Sequence, residues 1–374
     1  MKNLLFVLSS LENSGGSERS LVYRVNYLVN YYNYNITVVT TDKDAVKSFY
    51  KLNDKINLVN IPVRIKYKSI FDLIKSFLYN NYEYESEIIN HIDRYKYDVC
   101  TTFGSVNFLY NNGSKFSFIK IRESRFNYKR FFQYKKYDFI RFIWGFVRLI
   151  NSIFLFRNMN YLVTLTEQDG EFWRRFHPEV IVMPNFINSK LISASNLDKK
   201  VVIAVGRLEK EKDFYSLIKA FSIVINFHNN WKLKIYGEGS LKSDLQSLIV
   251  ELGLSNNVFL EGATYDIFHK YEQSSIYVHT SFFEGFGNSI LEAMAHSLPI
   301  VAFNSVGGVK LLVKDELNGF TVDNRNIENL SVKIMELINN PELRIRMGKQ
   351  SKIISENYSE DKIMLRWHEF YCSL

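Results

Sequence analysis

The sequence predicts an α/β protein built from two Rossmann-like, doubly wound domains that face each other across a cleft. Short apolar stretches alternate with amphipathic helical patterns along both halves of the chain, which is the rhythm of a parallel sheet wound with helices. This periodicity is lost between Met183 and Lys200, where Asn and Ser collect. The length of 374 residues also exceeds one ordinary core and suits two domains.

Strands are predicted on both sides of this break. Those of the first half are Leu4–Ser9, Ile36–Thr41, Leu58–Ile61, Asp98–Phe103, Phe116–Ile121 and Tyr161–Leu165. Those of the second half are Val201–Val205, Leu233–Tyr236, Val258–Leu260, Ile276–His279 and Pro299–Ala302. Helical patterns lie between them, as in Asp213–Phe227, whose apolar residues share one face. Because ligands of open parallel sheets bind at the carboxyl ends of the strands, the cleft is the expected site.

The composition, 47% hydrophobic and 23% charged, is that of a globular protein. The two cysteines, Cys100 and Cys372, provide neither a disulfide framework nor metal-ligand spacing, which suits a reducing cytoplasm. The apolar Leu4–Leu8 is too short for a signal peptide and runs into Ser and Gly rather than a cleavage site. The closest approach to a spanning helix, Phe139–Phe156, is interrupted by two arginines, so no membrane span is expected.

The net charge of +8 is unevenly distributed. Residues 1–185 contain 26 Lys and Arg against 17 Asp and Glu, a net charge of +9, and the remainder carries −1. The segment Tyr128–Ile150 interleaves cations with aromatic residues. If it is helical, the candidates for its apolar side are Phe131, Tyr134, Phe139, Phe142 and Phe146.

Two hypotheses for this segment have equal support. In one, it docks on an anionic membrane surface with its rings at headgroup level. In the other, its aromatic side packs into the domain core and its cations are solvated. The sequence contains no recognisable nucleic-acid recognition module, so no nucleic-acid partner is expected.

The strongest motif for chemistry is Phe283–Ala295, in which Glu284 and Glu292 are eight residues apart. It follows a predicted strand, and Asn288 is the expected N-cap of a helix that begins at Ser289. Glu292 then lies one turn along this helix, where its carboxylate can accept from two ribose hydroxyls. Glu284, on the loop, can reach the sugar side of a diphosphate.

The start of this helix is a predicted phosphate site. The backbone N–H groups of Asn288, Ser289 and Ile290 would point out of the helix and suit a phosphate oxygen, and Gly285 and Gly287 would let the backbone approach a ligand. The alternative is that the glycines are turn residues and Glu292 is solvated, which is the usual situation for an isolated glutamate. The combination of spacing, loop and helix start favours the binding site.

A cationic motif, Gly206 to Asp213, directly follows the strand Val201–Val205. It places Arg207 and Lys212 at the carboxyl edge of the sheet, where a departing diphosphate needs its charge neutralised without a metal. The alternative is a solvated charged loop. No metal site and no cofactor are expected.

Two more glycine-rich turns follow predicted strands. Gly237-Glu238-Gly239 lacks the third glycine and the acidic residue of a nicotinamide fingerprint and indicates a nucleotide-base or loop site. Ser14-Gly15-Gly16 lacks the Lys-Ser/Thr of a P-loop. For this second turn, a ligand contact and an ordinary β–α turn are equally supported.

Together these motifs resemble those of the family-4 retaining glycosyltransferases of the GT-B fold, which include bacterial transferases that build O-antigens, capsules and other surface glycans. The resemblance covers nearly the whole chain. It implies an N-terminal acceptor-binding domain at 1–185 and a nucleotide-sugar-binding domain at 186–357. A C-terminal helix at 358–374 is expected to cross back to the N-terminal domain.

The resemblance also implies roles for single residues. Arg207 and Lys212 would hold the diphosphate, Glu284 would contact the donor sugar, and Glu292 would bind the ribose. The wider nucleotide-sugar site would comprise Gly15, Gly16, Gly206, Gly237, Glu238, Gly285, Phe286, Gly287, Asn288, Ser289 and Ile290.

The reaction implied is a metal-free front-face displacement on a nucleotide-diphosphate sugar, with UDP favoured. The acceptor would be a lipid-linked or other glycan, and the enzyme would be cytoplasmic and peripheral on the inner face of the cell membrane. Two other classes stay open. A nucleotide-sugar epimerase or hydrolase of the same fold would need an acid–base group near the sugar, and a non-catalytic partner would be expected to lose Glu284, Lys212 or Glu292.

The chain departs from many relatives in lacking a histidine after the strand predicted at Phe116–Ile121. The candidates that would take its place at the acceptor side are Arg122, Glu123 and Ser124. A local ion pair between Arg122 and Glu123 is an equally supported explanation of these two residues.

Overall fold

The computed structural model describes residues 2–12, 15–42, 47–62, 88–92, 94–103, 116–132, 139–188 and 192–374. The chain divides into two compact units. Met1–Pro184 together with Met364–Leu374 form unit 1, and Asn185–Ile363 form unit 2.

Unit 1 contains a seven-stranded parallel sheet in the order β3-β2-β1-β4-β5-β6-β7. Its strands are β1 Asn3–Leu8, β2 Asn35–Thr40, β3 Asn57–Asn60, β4 Val99–Phe103, β5 Ile119–Ser124, β6 Tyr161–Thr164 and β7 Val180–Val182. The central strands are buried on both faces, as parallel sheets require, and β1 is a near-continuous apolar run. The order 3-2-1-4-5-6 is that of a doubly wound, Rossmann-like sheet.

The described α-helices with assigned bounds in unit 1 are α1 Gly16–Tyr32, α2 Phe139–Phe156, α3 Glu167–Trp173 and the greater part of the C-terminal helix, Glu360–Ser373. Helix α1 buries Leu21, Val25 and Leu28, which recur with helical period on the face toward the sheet. Thr166 caps α3 by accepting a hydrogen bond from the Asp169 N–H.

Strand β5 differs from the predicted Phe116–Ile121 and runs to Ser124. Its ladder with β4 pairs Thr102 with Arg122 and Phe103 with Glu123, so the strand continues as far as its neighbour does. Arg122, Glu123 and Ser124, which were predicted to lie in the loop after this strand, are therefore its last three residues. The short edge strand β7 was not predicted, because three residues carry too little periodicity to recognise.

Glu123 lies in a buried ion cluster within unit 1. Its carboxylate contacts Arg24 of α1 at 2.6 Å and Arg125 at 3.0 Å, and all three side chains are buried. The Arg24 guanidinium also lies over the ring of Trp367 of the C-terminal helix, at 4.1 Å. The charge of Glu123 is thus matched by these two arginines, while Arg122 lies over Phe156.

The segment Tyr128–Ile150 is not one helix. Tyr128–Phe132 forms a 3-10 turn, 133–138 lie outside the described residues, and α2 begins at Phe139. Phe131 packs against the core of unit 1, edge-on to Trp173, as the core-packing hypothesis expects for this residue. Tyr134 lies outside the described residues, as do the side chains of Phe139 and Phe142.

Helix α2 nevertheless has an exposed apolar stripe. The stripe follows helical spacing and consists of Ile143, Phe146, Val147, Ile150 and Phe154, with Phe146 50% and Phe154 60% exposed. Leu149 and Phe156, on the opposite side, join the core. In the part of the chain that the structure describes, no helix is both long and apolar enough to cross a membrane.

Unit 2 contains a six-stranded parallel sheet in the order β10-β9-β8-β11-β13-β15, and a two-stranded sheet of β12 and β14. The strands are β8 Val201–Val205, β9 Lys232–Tyr236, β10 Val258–Gly262, β11 Ile276–His279, β12 Phe283–Glu284, β13 Ile300–Phe303, β14 Val306–Gly307 and β15 Gly319–Val322. The helices are α4 Phe214–Phe227, α5 Lys242–Glu251, α6 Ile267–Glu272, α7 Asn288–Ala295, α8 Gly308–Leu312, α9 Ile327–Asn339 and α10 Pro341–Ser355. The C-terminal helix, α11, begins at Glu360.

The core of unit 2 forms where α4 and α9 cover the sheet. Leu217, Phe221 and Val224 of α4 share one buried cluster with Ile235 of β9 and Ile334 of α9. The sheet and its helices therefore hold the strand ends, and the loops that follow them, in fixed positions.

Candidate active site

The candidate site lies in unit 2, where β9, β8 and β11 end side by side. Backbone hydrogen bonds tie the loops that follow these strands together. The Gly206 N–H donates to Tyr236 O at 3.0 Å, and the Leu208 N–H donates to Glu238 O at 2.9 Å. Farther along, the Phe282 N–H donates to Glu211 O at 2.9 Å. Three loops that are distant in sequence therefore form one surface.

Two of the predicted site glycines allow these loops to approach. A Cβ on Gly237 would lie 1.9 Å from Gly206 O, and Gly237 has a φ of +144°. A Cβ on Gly206 would lie 3.3 Å from the Lys212 side chain, whose aliphatic part crosses it. Both glycines thus have a packing reason in addition to the ligand contact predicted for them.

Lys212 and Glu284 form the centre of the site. Lys212 Nζ lies 2.5 Å from Glu284 Oε1, and the two side chains are only 17% and 14% exposed. His279 Nε2 lies 3.1 Å from the same oxygen, off the axis of a straight hydrogen bond. Burial alone would raise the pKa of the Glu284 carboxyl, but Lys212 and His279 outweigh burial and hold the pKa well below its usual range. Glu284 is therefore a carboxylate at neutral pH.

Arg207, the other predicted cation, is placed differently. Its side chain is 72% exposed and donates to Glu211 Oε1 at 2.6 Å, four residues along the chain. Such an exposed pair is weak and lets the guanidinium move. Glu238 similarly pairs with Lys242 at the surface.

Glu292 is buried rather than solvated. Its Oε2 accepts a hydrogen bond from Tyr271 OH at 3.2 Å, and the Tyr271 ring packs against His296, with the ring centroids 5.1 Å apart. Burial lowers the pKa of His296 to about 4, so this imidazole is neutral at pH 7. The buried Glu292 carboxylate, with the neutral Tyr271 as its neighbour, is suited to accept hydrogen bonds from hydroxyl groups.

The start of α7 differs from the prediction in its capping. Gly287, not Asn288, is the N-cap, because the chain enters the helix in the left-handed conformation with φ +91°. The Asn288 side chain instead accepts a hydrogen bond from Asn185 Nδ2 at 2.8 Å. The Ile290 N–H already donates to Gly287 O at 3.0 Å and is not free for a phosphate.

Phe286 and Ile290 point their side chains into the core. Phe286 is 2% exposed and packs edge-on against Tyr358. The phosphate contacts predicted for the Asn288 and Ser289 N–H groups, and the approach of a ligand at Gly285, stay predictions.

Several residues of the site were missed in the sequence. Gly307 pairs with Glu284 in the β12–β14 ladder, and a Cβ on Gly308 would lie 1.5 Å from Phe286 O. This Gly-Gly pair therefore supports β12, the short strand on which Glu284 lies rather than on the predicted loop. Tyr271 and Tyr277 also reach the site through their hydroxyls. Of these residues, only His279 could have been identified from the sequence, because it ends the predicted strand that precedes Glu284.

The predicted residues of unit 1 lie at its strand ends. Gly15 is the N-cap of α1 and Gly16 begins this helix, while Ser14 lies outside the described residues. Arg122 is buried, with Nη1 3.5 Å from Thr102 Oγ1, and Ser124 ends β5. Their roles toward an acceptor stay predictions.

The site of unit 2 combines an anion, a buried cation and an exposed cation at the carboxyl ends of parallel strands. Within the described residues, no three His, Cys, Asp or Glu side chains are grouped to hold a metal ion. The arrangement is suited to hold a phosphorylated ligand and to orient hydroxyl groups on either side of it. Two parallel-sheet, Rossmann-like halves with this site are the features of a GT-B protein.

Comparison with known proteins shows similarity to glycosyltransferases. Residues 186–353 match the model of the glycosyl transferases group 1 family. A Haemophilus influenzae protein described as an uncharacterized glycosyltransferase is 29% identical over 98% of this chain and 99% of its own length. The poly(ribitol-phosphate) alpha-N-acetylglucosaminyltransferase of Staphylococcus aureus is 32% identical over 58% of this chain, and the match covers 44% of that protein.

Solved structures share the fold. Sucrose-phosphate synthase from Thermosynechococcus elongatus superposes with a TM-score of 0.82 at 16% identity, over 100% of this chain and 99% of its own. A complex of a mutant of S. aureus TarM with UDP superposes with a TM-score of 0.76 at 17% identity, with 99% of each chain covered. Residues 186–353 are thus similar to the glycosyl transferases group 1 family, and the chain has the GT-B fold.

Proposed function

We propose that this chain is a retaining glycosyltransferase that moves a hexose or N-acetylhexosamine from a UDP-sugar to a glycan in surface polysaccharide synthesis. The observation that carries the proposal is the ion pair of Lys212 and Glu284 at the carboxyl edge of the sheet of unit 2, with α7 beginning four residues after Glu284. A nucleotide-diphosphate sugar requires a cation for its phosphates and carboxylates for its sugar and ribose hydroxyls. This edge offers both.

In the proposed reaction, Arg207 and Lys212 neutralise the diphosphate as it leaves. Arg207 is exposed and held only by a surface ion pair, so it can turn to a ligand at little cost. Lys212 is largely buried, so its charge acts in a drier environment and is worth more to a developing anion. Glu292 binds the ribose and Glu284 orients the donor sugar.

The preference for UDP and for retention is supported by relatives. The TarM mutant was solved in complex with UDP, and the S. aureus relative is named an alpha-N-acetylglucosaminyltransferase. Common UDP-hexoses carry the sugar in the α-configuration, so an α-linked product corresponds to retention. For this chain both properties are proposals.

The acceptor is proposed to be a lipid-linked glycan bound through the N-terminal domain, with Arg122 and Ser124 as contact candidates. Residues 1–185 carry a net charge of +9, which suits an anionic acceptor or surface. Because one relative is named for poly(ribitol-phosphate), a polyol-phosphate polymer is the second acceptor to test. Such a polymer carries negative phosphates, so the basic charge of residues 1–185 would attract it as well.

We further propose that the chain is peripheral on the inner face of the cell membrane and docks through α2. The apolar stripe of α2 (Ile143, Phe146, Val147, Ile150 and Phe154) is exposed, and Arg148 and Arg157 are exposed beside it. Rings buried at headgroup level with flanking cations are the pattern of an interfacial helix.

Flotation with lipid vesicles tests this docking. Binding should need anionic lipid and weaken as salt rises, and it should fall in the double variant Phe146→Ser/Phe154→Ser. Phe227→Ser, which removes an even more exposed ring (71%) from unit 2, is the control and should bind like the wild type. Salt-independent binding, or binding lost equally in the control, would contradict the proposal.

The activity itself is tested by offering the purified protein UDP-glucose, UDP-N-acetylglucosamine and GDP-mannose. Each is supplied with a lipid-linked glycan, with poly(ribitol-phosphate) or without acceptor, and released nucleotide diphosphate and the anomeric form of the product are measured. Acceptor-dependent release of UDP with an α-linked product supports the proposal. Conversion or hydrolysis without acceptor would indicate the epimerase or hydrolase alternative, and no turnover would indicate a non-catalytic partner.

A further inference from the structure

The ion pair of Lys212 and Glu284 joins two groups that have different tasks in the proposed reaction. Lys212 Nζ lies 2.5 Å from Glu284 Oε1. To neutralise a diphosphate, the Lys212 ammonium has to turn at least partly away from this oxygen. The Glu284 carboxylate would then be largely buried and deprived of its main counter-charge, a situation that is costly in a low-dielectric site. A second partner is needed to keep Glu284 in place.

His279 is already in position for this task. It is 3% exposed, and its Nε2 lies 3.1 Å from the same Glu284 oxygen. Its backbone ends β11, so its Cα is held by the sheet ladder with β13 through Ala302. A short movement of the Glu284 carboxylate would bring it onto the axis of the Nε2–H.

The imidazole ring is held from its other side by Tyr277. Tyr277 OH lies 3.3 Å from His279 Nδ1 and 2.8 Å from Ser289 Oγ, and the rings of Tyr277 and His279 stack at 24°. Because Nδ1 faces Tyr277, Nε2 is the ring nitrogen that faces Glu284 and can donate a hydrogen bond to it. A chain of contacts therefore runs from Glu284 through His279 and Tyr277 to Ser289 at the start of α7.

We propose that His279 is a positioning residue for sugar transfer: it holds the Glu284 carboxylate when Lys212 turns to the diphosphate, so that Glu284 stays aimed at the donor sugar. This inference rests on the proposed function, and it assigns His279 a role through Glu284 rather than direct contact with the substrate. Tyr277 fixes the ring so that Nε2 faces Glu284.

Steady-state kinetics of histidine variants test the proposal. His279→Ala should lower kcat by about 10- to 100-fold, the usual effect of removing a group that orients a functional side chain, and leave the donor KM within about threefold. His279→Gln keeps an N–H donor near the Nε2 position and should recover most of the loss. Tyr277→Phe should lower kcat by a smaller factor, because it only loosens the ring.

His177→Gln is the matched control for loss of a buried imidazole. His177 is 4% exposed in unit 1 and is bound to Met159 O and the Glu179 N–H, away from the site. Its kcat should match that of the wild type. If His279→Ala and His279→Gln are as active as the wild type, or if the control loses as much kcat as they do, the proposal is overturned.

A second measurement does not depend on turnover. UDP is titrated into protein labelled with ¹⁵N-histidine, and binding is followed by calorimetry in parallel. The His279 Nε2–H signal, assigned from its loss in His279→Gln, should move with UDP binding in the wild type and stay still in Glu284→Gln. A signal that stays still while UDP binds to the wild type would contradict the proposal. Failure of the wild type to release UDP from any donor would instead reject the proposed function.

Discussion

Replacement of Lys212 by Met should destabilise the site as well as lower activity, and the size of the loss can be estimated from the geometry. Two unit charges 2.5 Å apart attract by about 6–7 kcal/mol at an effective dielectric constant near 20. Desolvation of both charges offsets part of this, and breaking a buried pair typically costs about 3–5 kcal/mol. Because this pair is slightly exposed, we expect a loss of about 2–3 kcal/mol.

The loss should depend on pH in a defined direction. Burial raises the pKa of the Glu284 carboxyl, but Lys212 and His279 lower it by more. The pKa of Glu284 therefore lies below its usual value. The stability from this shift is present above the unfolded pKa of a glutamate, about 4.3, and is lost as pH falls toward the folded pKa. The difference between the wild type and Lys212→Met should therefore be full at pH 7, begin to shrink as pH falls through about 4.3, and shrink further as pH falls below that value.

Hydrogen exchange of peptides covering 276–292 is the suitable assay, because a chain of two units need not unfold in one step. Arg207→Ala is the matched control: it also removes a cation, but an exposed one, and should change local stability by less than about 0.5 kcal/mol. The double variant Lys212→Met/Glu284→Gln should recover most of the stability. Equal destabilisation by both single cation variants, or a loss that stays constant from pH 7 down to about pH 3, would refute the reasoning.

Three other predictions follow from the site. Glu284→Ala should lower turnover by orders of magnitude with UDP affinity nearly intact, whereas Glu292→Ala should weaken UDP binding by about 1–3 kcal/mol; calorimetry and steady-state kinetics separate the two, and equal small effects would reject the assignment. Turnover should persist in EDTA, since we assign the diphosphate charge to side-chain cations, and strict loss on chelation would reject that mechanism. Gly237→Ala should cost more than about 3 kcal/mol in thermal unfolding, because its Cβ would meet Gly206 O. Gly253→Ala, with positive φ but open space, should cost only about 1 kcal/mol, and similar costs for the two glycines would contradict the packing argument.

Much of the fold was predictable from the sequence because its signals are local. The predicted Val201–Val205 and Ile276–His279 agree with β8 and β11 residue for residue, since buried parallel strands are short apolar runs with polar flanks. The predicted helix Asp213–Phe227 differs from α4 only in its first residue, which is the N-cap. The predicted strand before Glu284 and the helical pattern from Ser289 likewise indicated a strand–loop–helix unit.

The sequence by itself thus determined the α/β class, the two-part organisation and the motif that contains Glu284 and Glu292. The tertiary structure decided what these groups touch, because contacts between residues far apart in the chain leave no periodic signal. The Lys212–Glu284 pair spans 72 residues, and the β12–β14 ladder that supports Glu284 exists only once Gly307 is brought beside it. The tertiary structure also decided that Gly287 caps α7 and that His279 faces Glu284, since both depend on the path the backbone takes after β11.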